Sequence, residues 1–257
     1  MSIVPLPKDF LRAPFAHRGL HDKTKGRIEN SLSAFSAAVA AGYGIELDLQ
    51  LTKDGTAVVF HDATLDRVTG ESGPVADRTA AELGRIALNG STDTIPSFAE
   101  VLLLAAGRVP LLVELKDQSH NLTETDGRLE SAAAEALLNY SGSVALMSFN
   151  PHSVAWMQKL CPRLPRGITT GSYPSDEWEG ASAARSDELR EIPDYDRTGS
   201  SFISHEVADL TRPRVAELKA KGARILCWTV RSADMEAEAR RVAQNITFEG
   251  YPAKIPA

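Results

Sequence analysis

Short apolar runs recur along the chain. They are separated by stretches in which apolar residues return every three or four positions. Short runs of this kind are typical of buried strands, and the longer periodic stretches are typical of amphipathic helices. The runs predict strands at 14–17, 45–51, 56–60, 111–115, 144–148, 167–169, 201–204, 224–229 and 245–248. The periodic stretches predict helices at 32–39, 97–106, 125–139, 151–160, 175–189, 211–221 and 232–243, with a weaker signal at 80–83.

The alternation of strands and helices predicts a closed (β/α)8 barrel, the TIM barrel. The first unit is strand, helix, strand, and such a crossover implies two parallel strands. About eight strands alternate with helices over 257 residues, a length typical of this fold. The turn signal Lys53-Asp54-Gly55 and the run 56–60 interrupt that alternation. We therefore expect one domain over 1–257, with a small insertion at about 52–96 after the second barrel strand.

The sequence argues against several other classes of protein. The segment 17–22 after the first strand lacks the Gly-x-Gly-x-x-Gly pattern of dinucleotide-binding enzymes. The net charge of −6 argues against nucleic acid or an anionic membrane surface as the main partner. Residues 1–15 lack the apolar run of a signal peptide, and no later run reaches membrane-span length. We therefore expect a soluble, cytoplasmic protein without stable membrane association.

Two carboxylates lie side by side on one face of the strand predicted at 45–51. Apolar residues occupy every second position of this strand, so Glu46 and Asp48 point to the same side. At about 6 Å, two such charges repel by roughly 3 kcal/mol at an effective dielectric of 20. Glu114 and Lys116 share a face of the next barrel strand, although buried parallel strands are normally apolar throughout. Because the carboxyl ends of barrel strands converge, we expect Glu46, Asp48 and Glu114 to form an oxygen-only site for a hard cation, Mg²⁺ or Ca²⁺.

Basic and imidazole side chains end the neighbouring strands. Arg18 and Lys116, next to a bound cation, would form a site for a phosphate-bearing ligand. His17 ends the first strand and His61 ends the run 56–60, so we expect both at the edge of this site. Such a pair supplies the base and the acid that cleavage of a phosphoester needs. The other histidines lie in loops or at helix starts, where we expect surface or structural roles: His21, His120, His152 and His205.

Several short motifs occur along the chain in a fixed order. They are His17-Arg18-Gly19, Glu29-Asn30-Ser31, Glu46-Leu47-Asp48, Asp54-Gly55 through Val59, His61-Asp62, Leu65, Arg67, Thr69, Glu114-Leu115-Lys116, Ser148-Phe149-Asn150, Trp228-Thr229-Val230 and Tyr251-Pro252. In this order they resemble the glycerophosphodiester phosphodiesterase family, most specifically in the N-terminal half. The family often has an aspartate where this chain has Phe248-Glu249-Gly250, so the resemblance leaves the role of Glu249 open.

The resemblance implies a TIM-barrel enzyme with a small insertion after the second strand. Members of this family hydrolyse glycerophosphodiesters to glycerol phosphate and an alcohol, using Mg²⁺ or Ca²⁺. The implied roles are metal ligation by Glu46, Asp48 and Glu114, acid–base catalysis by His17 and His61, phosphate binding by Arg18 and Lys116, a pocket wall of Trp228 and Phe149, and supporting contacts from Glu29 and Asn30. Core packing is the alternative role for the two aromatic residues, and helix capping is the alternative for Asn30.

Two other functions are open at this point. A phosphodiesterase of the lysophospholipase D or sphingomyelinase D type would share the barrel and the metal ligands, and would differ at the mouth of the pocket. An apolar rim would favour a lipid substrate, which the polar segment 63–96 mildly disfavours. A phosphoester-binding module without catalysis would not need two histidines. The sequence leaves open which histidine is the base, whether water or a substrate hydroxyl is the nucleophile, and the oligomeric state.

Overall fold

Eight parallel strands close into a barrel in the computed structural model, which describes residues 3–173 and 182–256. In chain order the strands are β1 (Phe15–Ala16), β2 (Gly44–Leu51), β3 (Ala57–Val59), β4 (Leu111–Leu115), β5 (Val144–Ser148), β6 (Arg166–Thr170), β7 (Phe202–Glu206), β8 (Arg224–Val230) and β9 (Asn245–Phe248). Strand β1 pairs with both β2 and β9, and these pairings close the barrel. The short strand β3 lies outside it and pairs antiparallel with the end of β2. The predicted TIM barrel is confirmed.

Helices alternate with the strands along the chain. In chain order they are α1 (Leu32–Ala41), α2 (Ala80–Leu83), α3 (Phe98–Ala105), α4 (Arg128–Leu137), α5 (Pro151–Leu160), α6 (Ala183–Arg190), α7 (Pro213–Ala220) and α8 (Ala233–Ala239). Ser31, rather than Asn30, caps α1 with its side chain, and Gly42, with φ of 77°, ends that helix. Of the helix predicted at 175–189, residues 175–181 lie outside the described residues, and α6 covers the remainder from Ala183. Among the described residues, no helix has the length and apolar character needed to cross a membrane.

Alternation along β2 sends its side chains into two different environments. Ile45 and Leu47 are fully buried in the apolar layer between the strands and the helices. Glu46 and Asp48 point the other way, into the barrel. Each fully buried aliphatic side chain contributes about 1.5–3 kcal/mol, so the outer face holds the orientation that turns the carboxylates inward. The register with β4 then places Asp48 beside Glu114.

An apolar plug fills the barrel beneath the carboxylates. Its members are Leu6, Phe10, Phe15, Leu112, Ala145, Met147, Phe202 and Leu226. Leu112 precedes Glu114 by two positions in β4, so the two side chains share the inner face. Gly44 allows the Phe15 ring to approach, because a Cβ at Gly44 would lie 2.7 Å from that ring. The interior is therefore filled at the amino ends of the strands and polar at their carboxyl ends.

The segment between β2 and α3 has an apolar cluster of its own. The cluster consists of Val58, Phe60, Leu65, Val68, Val75, Leu83, Leu88 and Ile95 from this segment, together with Ile28 from the loop after β1. The segment carries β3, α2 and His61, and His61 lines the same cavity as Glu46. The segment expected as an insertion, 52–96, thus adds one wall to the carboxyl end of the barrel.

Candidate active site

Three buried carboxylates meet inside the barrel at the carboxyl ends of β2 and β4. Glu46, Asp48 and Glu114 are 2%, 2% and 6% exposed, and oxygens from all three lie within 4.8 Å of one another. They line a cavity of about 140 Å³. Burial and the charges of Asp48 and Glu114 raise the pKa of Glu46 well above its usual value. Such a cluster needs positive charge to stay ionised, and its oxygen atoms suit a hard divalent cation.

Two cationic side chains lie next to this cluster. Lys116 Nζ lies 2.8 Å from Glu114 Oε1 and 3.6 Å from Asp48 Oδ1. Arg18 Nε lies 3.5 Å from Asp48 Oδ2. Burial opposes the charge of Asp48, but the charge of His61 and these two cations outweigh burial and hold the pKa of Asp48 well below its usual value. Burial also disfavours the Lys116 ammonium, yet attraction by Glu114 and Asp48 raises its pKa, so Lys116 stays charged.

An unusual backbone conformation directs Arg18 and Asn30 toward the carboxylates. Their φ angles are 54° and 56°, in the left-handed region that costs non-glycine residues about 1–3 kcal/mol. The Arg18 N–H donates to Glu46 Oε2 at 3.0 Å, and Asn30 Nδ2 donates to Asp48 Oδ2 at 2.9 Å. Arg18 Nη1 also donates to Glu29 Oε1 at 2.7 Å. These hydrogen bonds offset the backbone cost, and they place Glu29 and Asn30 directly behind the site.

His17 is held at the end of β1 by a carboxylate that follows β9. The backbone N–H of His17 donates to the Phe248 carbonyl at 2.9 Å, and its ring Nδ1 lies 2.6 Å from Glu249 Oε2. Burial lowers the pKa of His17; the Glu249 contact opposes this shift and the Arg18 charge adds to it. Contrary to our expectation, His21 is close to this site, with its Nε2 3.5 Å from the same Glu249 oxygen. Hydrogen bonds from His17 and His21 hold the pKa of Glu249 well below its usual value.

His61 is held in the same manner from the insertion. Its Nδ1 lies 2.6 Å from Asp62 Oδ1, and its carbonyl accepts a hydrogen bond from Gln50 Nε2 at 3.1 Å. Burial disfavours the charge of Asp62, but hydrogen bonds from His61 and Arg67 hold its pKa well below the usual value. In His17 and His61 alike, a carboxylate contacts Nδ1, so Nε2 is the nitrogen that can exchange a proton with a ligand.

Aromatic side chains form another wall of the cavity. Trp228 and Phe149 both line it, with ring centroids 5.4 Å apart and planes at 84°. Trp228 Nε1 donates to the Ser204 carbonyl at 3.0 Å, which fixes the indole ring. The side chains predicted to wall a pocket therefore lie beside the carboxylates and the histidines.

The inward-facing residues of the cavity could be predicted from the sequence, whereas the carboxylates that hold the histidines could not. The cavity is lined by seven of the predicted residues together with both predicted aromatics: His17, Arg18, Glu46, Asp48, His61, Glu114, Lys116, Phe149 and Trp228. Asp62 and Arg67 belong to the motifs that resemble the family, but the sequence assigned no function to either residue. Glu249 lies 232 positions from His17 in the sequence. The available signal was position, because Glu249 directly follows a strand and Asp62 directly follows His61.

The chain matches known proteins in sequence over most of its length. Residues 17–246 match the model of the Glycerophosphoryl diester phosphodiesterase family. The chain is 31% identical over 230 residues to a glycerophosphodiester phosphodiesterase of Caldanaerobacter subterraneus subsp. tengcongensis, covering 86% of this chain and 87% of that protein. It is 35% identical over 166 residues to a glycerophosphodiester phosphodiesterase of Bacillus altitudinis, covering 61% and 65% of the two chains.

Solved structures share the fold. A phosphodiesterase of Oleispira antarctica, in complex with the product sn-glycerol-3-phosphate, superposes with a TM-score of 0.76 at 22% identity, covering 95% of this chain and 94% of that chain. A glycerophosphodiester phosphodiesterase of Thermotoga maritima gives a TM-score of 0.68 at 20% identity, with coverage of 92% and 94%. At these identities the similarity concerns the barrel alone, whereas the family match rests on sequence. The chain belongs to the glycerophosphoryl diester phosphodiesterase family.

Proposed function

We propose that this chain hydrolyses glycerophosphodiesters to glycerol phosphate and an alcohol, in a reaction that requires Mg²⁺ or Ca²⁺. The observation that carries the proposal is one cavity that holds three buried carboxylates and two histidines, each histidine held by a further carboxylate. Binding alone does not need an acid–base pair, whereas cleavage of a phosphoester does. The names of the two sequence relatives support the substrate class.

Glu46, Asp48 and Glu114 are the residues that would hold the cation. Their oxygens are buried and lie close together, and burial together with the charges of Asp48 and Glu114 raises the pKa of Glu46. An oxygen-only donor set of this kind fits a hard divalent ion. When bound, the cation would supply Lewis acidity to the phosphoryl group. Asn30 supports the set by donating to Asp48.

Arg18 and Lys116 bind the phosphoryl oxygens in this proposal. Both side chains line the cavity, and the pKa of each is raised because attraction by neighbouring carboxylates outweighs the cost of burial. Fixed positive charges in a water-poor site stabilise the negative charge that develops on the non-bridging oxygens. Glu29 holds one end of the Arg18 guanidinium and leaves its other donors for the ligand.

His17 accepts a proton and His61 donates one in this proposal. The lowered pKa of His17 keeps its imidazole neutral near pH 7, and with Nδ1 donating to Glu249, Nε2 is the basic nitrogen. His61, whose Nδ1 contacts Asp62, is then the group that protonates the departing alcohol. The assignment is the same for either nucleophile. Attack by the glycerol hydroxyl would give a cyclic phosphate that water then opens, and attack by water would give the products directly.

Trp228 and Phe149 limit what the cavity can hold. They face the carboxylates across a space of about 140 Å³, which suits the glycerol phosphate part of a substrate better than an acyl chain. The alcohol would then lie toward the mouth of the cavity. This arrangement favours a water-soluble diester over a lipid.

A product assay tests the reaction and the substrate class together. The purified protein is incubated with glycerophosphocholine, lysophosphatidylcholine and sphingomyelin, and the phosphate-containing products are separated and quantified. We expect glycerol phosphate from glycerophosphocholine and much slower turnover of both lipids. Preferred release of lysophosphatidate or ceramide phosphate would indicate the lysophospholipase D or sphingomyelinase D alternative. Binding of the diester without any product would indicate the non-catalytic module.

A further inference from the structure

One arginine of the insertion binds two carboxylates at once. Arg67 Nε and Nη2 donate to Asp62 Oδ2 and Oδ1 at 2.6 and 3.1 Å. Its Nη1 and Nη2 donate to Glu29 Oε2 and Oε1 at 2.8 and 2.6 Å. The guanidinium thus forms a two-pronged contact with each carboxylate, which is the geometry in which arginine binds carboxylates most strongly. A lysine ammonium would keep the charge but could not reproduce both paired contacts.

Each of these carboxylates contacts a residue of the proposed catalytic machinery. Asp62 Oδ1 lies 2.6 Å from His61 Nδ1. Glu29 Oε1 accepts a hydrogen bond from Arg18 Nη1 at 2.7 Å. Arg67 therefore completes an unbroken series of charged contacts from the proposed proton donor to the proposed phosphate-binding arginine. His61 and Arg18 belong to different loops, and the contacts through Arg67 join them.

The distribution of charge indicates what Arg67 does in this series. Burial opposes the charge of Glu29, but Arg67 and Arg18 lower its pKa to about 2. Without Arg67, the charge of Glu29 would act on Arg18 alone, and the charge of Asp62 would act on His61 alone. Attraction of that kind would draw the Arg18 guanidinium away from a phosphate, and Asp62 would lose the contacts that fix its carboxylate plane.

Packing does not account for Arg67. Its side chain is 44% exposed. Removing its guanidinium therefore opens no buried cavity and exposes no core surface. In the part of the chain that the structure describes, the hydrogen bonds of its guanidinium are those to Asp62 and Glu29.

We infer that Arg67 is a positioning residue that fixes the His61 imidazole relative to the Arg18 guanidinium, acting through Asp62 and Glu29. The inference rests on the proposed function, in which these two groups act on opposite parts of one phosphodiester. Small displacements of groups held this way reduce the rate steeply, because the reaction depends on alignment. Loss of the Asp62 contacts lowers kcat, and loss of the Glu29 contacts raises KM.

The first experiment compares three variants in the full chain. Arg67→Gln should lower kcat/KM on glycerophosphocholine by about ten- to hundred-fold, the usual effect of removing a group that orients catalytic side chains. Arg67→Lys should recover part of that loss, because it restores the charge without the paired geometry. Arg78→Gln is the matched control, because Arg78 lies in the same insertion and its side chain is 39% exposed. Its one ion pair within residues 3–173 and 182–256 is with Glu71, at 3.7 Å. This substitution should leave kcat/KM unchanged.

A double-mutant cycle separates the two arms of the arginine. Asp62→Asn should act mainly on kcat, and Glu29→Gln should act mainly on KM. Adding Arg67→Gln to Asp62→Asn should produce a smaller further fall in kcat than Arg67→Gln produces in the wild type, because the two residues act through one contact. Independent, multiplicative effects of Arg67→Gln and Asp62→Asn on kcat would contradict the inference.

A measurement without turnover keeps this inference distinct from the proposed function. In ¹⁵N-labelled protein, the NMR resonances of the His61 ring nitrogens should change chemical shift in Arg67→Gln and keep it in Arg78→Gln. Only the first substitution removes a hydrogen-bond donor from Asp62, the residue that contacts His61. An inactive wild type with this His61 response would overturn the proposed function and support the positioning role. An active wild type with Arg67→Gln within about two-fold of the control, and with unshifted His61 signals, would overturn the inference.

Discussion

At the scale of single residues, the two histidines resemble each other in their contacts and differ in their surroundings. Each has Nδ1 2.6 Å from a carboxylate oxygen. His17 has a lowered pKa, mainly because it is buried, which suits a group that must be neutral to accept a proton. His61 contacts the Asp62 carboxylate, which also accepts a hydrogen bond from Arg67. In the proposed mechanism the two imidazoles therefore take different steps of proton transfer.

Changing the leaving group should separate the two roles. His61→Ala should lose about 10²- to 10⁴-fold in kcat/KM on glycerophosphocholine, and much less on a glycerophosphodiester of 4-nitrophenol, because nitrophenolate leaves without a proton. His17→Ala should lose activity on both substrates. The exposed His120→Ala serves as the control. If His17→Ala, rather than His61→Ala, kept its activity on the nitrophenol substrate, the two roles would be reversed. Near-normal turnover of glycerophosphocholine by either variant would show that the replaced histidine is not catalytic.

Replacing Glu249 should alter both the rate and its pH dependence. Glu249→Gln should lower kcat by about ten- to hundred-fold, because His17 loses the carboxylate that holds Nδ1. Glu249 acts to raise the pKa of His17, so its removal should move the acidic limb of the kcat/KM profile to lower pH. Glu71→Gln, a change at an exposed carboxylate, is the control. An acidic limb that moves to higher pH would show that His17 does not govern it.

The residues on strands could be predicted from sequence, whereas the residues that support them could not. Alternation along a strand determines which side chains share a face, so the pairing of Glu46 with Asp48 follows from the sequence alone. Glu249 meets His17 only because β9 pairs with β1 when the barrel closes. No local pattern carries that information, and the same holds for His21.

At the scale of elements, the pairing of β2 with β4 creates the carboxylate cluster. The register sets Asp48 opposite Glu114, and the apolar outer face of each strand is buried against helices. A slip of one residue would exchange the inward carboxylates for leucines, which the outer layer forbids. The apolar layer outside the barrel thus holds three like charges together inside it.

This concentration of charge should lower the stability of the metal-free protein. Burial raises the pKa of Glu46, so the folded state binds a proton more tightly than the unfolded state, and stability should rise as the pH falls through the folded pKa toward 4.5. Glu46→Gln should raise the melting temperature in EDTA at pH 7.5, by about 2–4 °C for each kcal/mol gained. It should also abolish the stabilisation that Mg²⁺ or Ca²⁺ gives the wild type. A lower melting temperature for Glu46→Gln in EDTA would contradict this account of the cluster.

Strands were easier to predict than the ends of helices or the insertion. Buried parallel strands are apolar runs bounded by polar loops, and the sequence shows them directly. Helix α4 begins three residues later than predicted because Gly127, with φ of 77°, precedes it, and α7 begins at Pro213. The insertion contains isolated β-bridges, such as the one between Thr64 and Pro74. Such bridges leave no periodic pattern of apolar residues in the sequence.

At the scale of the whole molecule, closure of the barrel gathers side chains from distant parts of the chain around one cavity. The loop after β1, the insertion, β2 and β4 supply charged groups, and β8 supplies Trp228. An apolar plug fills the barrel beneath them, so the site lies at the carboxyl ends of the strands. The proposed chemistry of the other groups depends on a cation that the three carboxylates would hold.

The most direct measurement is the rate of glycerol phosphate release from glycerophosphocholine, followed through removal and return of the cation. The protein is assayed as purified, then in excess EDTA, and then after dialysis into Mg²⁺ or Ca²⁺. We predict that EDTA abolishes release and that at least one of the two ions restores it, because in the proposed mechanism Glu46, Asp48 and Glu114 hold a cation that the reaction needs. Full activity in excess EDTA would contradict the account.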